Sequence, residues 1–135
     1  MPPPDRAVRP LYWWRRLPAT DFGPAHIAVI KKAISGIGLV GEPHWPAAAD
    51  GDPAAAIGVA LRAIERHRTP TPGIDLVMSA LLRCAIEGSA AASFVLANAL
   101  SGFAAGDPAC AAVAASWRSN AAAPRARRAK KTRSA

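Results

Sequence analysis

The sequence predicts an all-α chain: a small bundle of four to five short Ala-rich helices. An extended Pro/aromatic N-terminal arm precedes it, and a disordered basic C-terminal tail follows. Three observations predict this. Ile74, Val77, Met78, Leu81, Ala85 and Ile86 recur at three- and four-residue steps within 72–104, so they share one helix face. Proline stands where a helix would begin at Pro24, Pro53, Pro72 and Pro108, and the first turn tolerates it because no N–H is needed there. Alanine contributes 33 of the 135 residues, whereas Leu, Ile, Val and Phe together contribute 27. Alanine favours helix but buries little surface, so the helices must pack with close backbones around a thin core.

Residues 1–20 read as the arm, because prolines at 2, 3, 4, 10 and 18 forbid a continuous helix. Within it stand Tyr12, Trp13, Trp14, Arg15 and Arg16, the densest aromatic cluster of the chain. These rings either clamp the arm onto the domain or form an exposed anchor for a partner. A first helix is expected from Pro24 to about Ser35, with Ile27, Ile30 and Ile34 inward and Lys31 and Lys32 off the stripe.

Residues 36–51 read as a loop. Gly36, Gly38 and Gly41 match the spacing of a dinucleotide-binding loop, yet they follow a helix and run into Glu42-Pro43. No helix N-terminus is placed to hold a pyrophosphate, so the context rejects that motif. Trp45, within His44-Trp45-Pro46, is a better recognition candidate in this loop. Asp52-Pro53 signals the next helix, with Asp52 expected to cap it and Ile57, Leu61 and Ile64 expected on its buried face. Thr69-Pro70-Thr71-Pro72 ends that helix and starts the central stretch.

In the central stretch Asp75, Ser79, Arg83 and Glu87 fall on a polar face at steps of four, with Arg83 and Glu87 placed to pair. Gly88 divides this stretch into two helices. In the second, Ser93, Ala97 and Ser101 would let a neighbouring helix approach closely. Residues 88–106 carry no charge, but the serines, asparagine and glycines among them argue against a membrane span. Asp107-Pro108 opens a last helix over about 108–119, with Cys110, Val113 and Trp117 on one side.

The organisation expected is therefore an arm (1–20), a helical domain (21–119) and a tail (120–135). The net charge of +8 is concentrated in the tail. Arg125, Arg127, Arg128, Lys130, Lys131 and Arg133 lie in the last eleven positions, and no acidic residue follows Asp107. Closely spaced cations of this kind displace counterions from phosphates, so these six residues are the nucleic-acid candidates.

Chemistry has less to work with. His26, His44 and His67 lie 18 and 23 residues apart, without ligand spacing, and the nine carboxylates are scattered. Cys84 and Cys110 sit in Ala-rich helical patterns and read as reduced, buried thiols. The expectation is a cytoplasmic, non-enzymatic protein with no catalytic residue, metal or cofactor. Its expected partner is nucleic acid, bound through the backbone with little sequence discrimination, or else an acidic protein surface. The alternative is an adaptor or complex subunit, self-associated or bound to another protein. It would dock through Tyr12, Trp13, Trp14, Arg15, Arg16 and Trp45 and the Ala-rich helix faces.

Overall fold

The computed structural model describes residues 9–39, 41–67, 69 and 71–122. The described residues are mostly helical and contain no strand. They form α1 (Trp13–Arg16), α2 (Pro24–Ile34), α3 (Trp45–Ala49), α4 (Pro53–Arg66), α5 (Pro72–Ile86), α6 (Ala90–Phe103) and α7 (Ala109–Ala122), plus 3-10 turns at Pro10–Tyr12 and Ala19–Asp21. Five of the seven are the expected helices. The other two lie where an extended arm and a loop were expected. In the first, Pro10 opens a helical turn, and residues 11–17 contain no proline to stop the turn that follows. In the second, Pro46 sits in the first turn of α3 and three alanines continue it. α7 extends to Ala122 rather than stopping near 119, because Asn120, Ala121 and Ala122 contain no helix breaker.

α5 is the centre of the bundle. The Pro10–Tyr12 turn, α1, α2, α3, α4 and α6 all pack against it, and it is buried from Ile74 through Ala85 except at Leu76. Its start is capped as the sequence implies: Ile74 N–H donates to Thr71 Oγ1 at 3.2 Å. Its polar stripe does not face solvent. Asp75, Ser79 and Arg83 are all buried, and each is where another element attaches.

α4 turns a different face inward from the one expected. Ala56, Val59 and Ala60 are buried, Ile57 and Ile64 are half-buried, and Leu61 is exposed. With small side chains at the contact, α4 and α5 approach closely, and the larger residues are left at the flanks. Asp52 makes no side-chain cap; its backbone carbonyl accepts from Ala56 N–H at 3.0 Å. Asp107 does cap α7, accepting from Ala109 N–H at 3.2 Å.

Gly88, at φ +105°, reverses the chain between α5 and α6 in a conformation that glycine adopts without strain. α6 and α7 form the most extensive contact in the molecule. Ser93 and Ala97 are fully buried on this seam, Asn120 Nδ2 donates to Ser93 Oγ at 3.1 Å, and Arg118 hydrogen-bonds Ser101. The small-residue stripe thus receives a neighbouring helix of the same chain. No helix among the described residues is long and apolar enough to cross a membrane.

Candidate functional site

The aromatic segment is part of the core. Trp14 has no exposed surface and Trp13 very little, and both join the main apolar cluster. Trp14 packs edge-on against Phe103 with ring centres 5.6 Å apart, while Trp13 meets His26 at 5.1 Å and Phe22 at 6.3 Å. Phe22 in turn packs against Trp117 of α7, with the rings tilted and their centres 5.8 Å apart. The tryptophans supply bulk that the Ala-rich helices lack. Trp13 and Trp14 are therefore packed inside the domain, the arrangement that the clamp reading expects.

Polar bonds fasten the same segment. Trp14 Nε1 donates to Asp75 Oδ1 at 2.8 Å, and Arg15 Nε donates to the same oxygen at 3.2 Å. The Arg15 guanidinium also lies 4.7 Å above the Tyr12 ring centre. Ser79 Oγ donates to Asp75 O at 2.6 Å and approaches Leu11 O at 3.4 Å. Arg16 pairs with Asp107 at 3.5 Å, and Ala19 N–H donates to Ser116 Oγ at 2.9 Å, so the segment is bound to α7 as well. Arg15 and Arg16 each face a carboxylate, which neutralises their contribution to a basic surface.

Trp45 is likewise buried. Its Nε1 donates to Ile37 O at 2.6 Å, closing the Gly36–Gly41 loop over α3. The turn after α3 is held by Arg83: Nη1 donates to Ala49 O at 3.1 Å, and Nε lies 3.5 Å from Glu87 Oε1. This Arg83–Glu87 pair is the one the spacing predicts. On the opposite side, Glu42 Oε2 and Arg62 Nη2 are 2.9 Å apart. The hydrogen bond from Arg62 holds the Glu42 carboxyl below its ordinary range.

The thiols are poor nucleophiles. Burial, with the nearby Glu87 charge secondary, pushes Cys84 up to about 11, and burial also raises Cys110. Among the described residues no three His, Cys, Asp or Glu side chains converge to hold a metal ion.

The six tail candidates, Arg125, Arg127, Arg128, Lys130, Lys131 and Arg133, lie outside the described residues. α7 ends at Ala122, three positions before the first of them.

One surface feature has no counterpart in the sequence reading. A cleft of about 390 Å³ opens between α4 and α6, with Ile64, Ala99 and Phe103 as its apolar wall, Gly102 as part of its lining, and His67 and Asn98 as its polar edge. Among the described residues no Asp, Glu, Lys or Arg lines it. The other clefts carry charge, as where His44, Asp52 and Arg62 meet beside Gly58 in about 360 Å³. Elements distant in sequence make these clefts, so no local pattern announces them. Compared with protein-family models, with curated proteins and with solved structures, the chain matches none.

Proposed function

We propose that this chain is a non-enzymatic, cytoplasmic, nucleic-acid-associated protein. Its helical domain carries a phosphate-binding tail at the end of α7. The observation that supports this reading is the segregation of charge. Within the domain Arg15, Arg16, Arg62 and Arg83 each stand against a carboxylate. Residues 125–133 hold six cations, and no acidic residue occurs beyond Asp107 to neutralise them. Runs of cations bind a phosphate backbone by releasing counterions, without reading base edges, so the binding discriminates little between sequences.

The test is fluorescence anisotropy of labelled duplex and single-stranded DNA and RNA, using the full chain and a 1–122 truncation over a salt series. Six phosphate contacts give a log–log salt slope of about −5 on duplex DNA. The truncation keeps its circular dichroism spectrum and loses this binding. Absence of binding by the full chain at low salt, or equal binding by the truncation, refutes the proposal.

A further inference from the structure

We propose that residues 17–23, the strap between α1 and α2, form a proton-gated latch: when His26 takes up a proton, Gly23 is released and Phe22 lifts from Trp117. The latch is a reciprocal pair of hydrogen bonds. Gly23 N–H donates to His26 Nδ1 at 3.0 Å, and His26 N–H donates to Gly23 O at 3.0 Å. Gly23 is the N-cap of α2 and His26 its third residue, the position from which a Glu or Gln side chain commonly reaches back to the N-cap amide. A histidine can accept there only while Nδ1 is bare and its one proton sits on Nε2. Protonation makes both ring nitrogens donors, so two N–H groups then face each other across the 3.0 Å contact. Imidazole side chains make this change between about pH 8 and pH 5. The closed strap has no room for the second proton and the open strap does, so acid favours opening.

The packing decides which side yields. Trp13, buried in the core, meets the imidazole edge to face at 5.1 Å and 72°, which fixes the plane of the ring and the aim of Nδ1. Gly23 has no such anchor, since a Cβ built there meets nothing within 4 Å. The strap that ends at Gly23 is lightly held. Ala19 N–H donates to Ser116 Oγ, Arg16 and Asp107 form a partly exposed pair, and Phe22 is half-buried against Trp117. Trp117 itself favours opening: its Nε1 is buried without a hydrogen-bond partner among the described residues, a cost that water removes once Phe22 lifts. The charged groups on the surrounding elements are engaged elsewhere or exposed. Arg15 faces Asp75, Arg16 faces Asp107, Arg83 faces Glu87, and Tyr12 lies beneath Arg15. Arg9, Lys31 and Lys32 are exposed, as is Arg118, which bonds Ser101. Cys84 and Cys110 keep their protons throughout this range. Asp21, within the strap, is exposed and forms no ion pair among the described residues, so no fixed carboxylate holds a charged His26 in the closed arrangement.

The latch is independent of the tail, and its test contains no nucleic acid. Amide hydrogen exchange of the full chain, followed by NMR between about pH 8 and pH 5, gives each amide a protection factor relative to its intrinsic rate, which removes the direct effect of pH on exchange. The expected result is a fall of about tenfold in the protection of the Gly23 and Ala19 amides, the scale of losing one hydrogen-bond acceptor. Ala19 is the decisive amide. It donates to Ser116 rather than to His26, so it loses protection only if the strap lifts as a whole. Amides inside α5 keep theirs, which separates opening of the strap from unfolding. Nitrogen NMR shifts of the imidazole place the proton on Nε2 at the alkaline end, and their midpoint coincides with that of the Ala19 loss. His26→Gln supplies an acceptor that takes up no proton, so Ala19 stays protected throughout, while His44 and His67 remain as controls for other histidines. A proton on Nδ1 at the alkaline end, Ala19 protection that stays constant, or a fall whose midpoint differs from that of His26 overturns the proposal in the natural chain alone. An equal fall in His26→Gln overturns it as well.

Discussion

Asp75→Ala tests how the N-terminal segment is joined to the core. Asp75 Oδ1 accepts from Trp14 Nε1 at 2.8 Å and from Arg15 Nε at 3.2 Å. Trp14 is fully buried, so removing the carboxylate strands its indole N–H without water, a cost of about 1–3 kcal/mol. The Arg15 side chain keeps 15% of its surface in solvent, and water replaces part of its lost partner, adding roughly 0.5–1 kcal/mol. The sum is about 2–4 kcal/mol, a large share of the stability of a domain this size. With a urea slope near 1.5 kcal/mol per molar, the midpoint falls by about 1–3 M. Asp75→Asn retains an acceptor for Trp14 and loses only the charge facing Arg15, so it costs about 1 kcal/mol. Unfolding followed by tryptophan fluorescence and circular dichroism measures both. On a Trp14→Phe background, which lacks the donor, Asp75→Ala is milder by at least about 1 kcal/mol. Equal effects of Ala and Asn at position 75, or strict additivity with Trp14→Phe, would refute the argument.

Two other predictions concern the α3–α4 turn and the central thiol. Gly51 has φ +100°, and a Cβ there falls 2.9 Å from Arg83 Cζ, while Arg83 is held by Ala49 O and buried. Gly51→Ala therefore costs about 2–4 kcal/mol, from backbone strain and displacement of the guanidinium, and lowers the thermal midpoint accordingly. Cys84 holds its proton to about 11 in the folded state against an ordinary value of 9.0. Between these values the unfolded chain releases the proton and the folded chain keeps it, so the contribution of this thiol is full below pH 9 and is lost as pH rises toward 11. Urea titrations across pH 8–11 should show a steeper fall for the natural chain than for Cys84→Ala, and thiol reagents should label Cys84 only on unfolding.

The sequence by itself determined five of the seven described helices and where they begin. Proline at the first turn, glycine at the reversals and three- to four-residue apolar spacing act locally, and five helices follow from them. It also determined the thin core and the placement of positive charge at the C-terminal end, since both are properties of composition. Only the tertiary structure decided which faces are inside. The stripe of Asp75, Ser79 and Arg83 has the spacing of a solvated face, and it is buried because α1 and the α3–α4 turn bring Trp14, Arg15 and Ala49 O to meet it. Ile57, Leu61 and Ile64 have the spacing of a core face, yet α4 packs through Ala56, Val59 and Ala60, because small side chains allow closer approach to α5. The tryptophans could not be assigned from sequence to anchor or to core, since an indole has an apolar body and one donor that suits either role. Asp75, 61 residues from Trp14 along the chain, decides it by supplying the acceptor that lets Trp14 be buried. The cleft lined by Ile64, Ala99 and Phe103 exists only because α4 stands beside α6, a relation that no local spacing encodes.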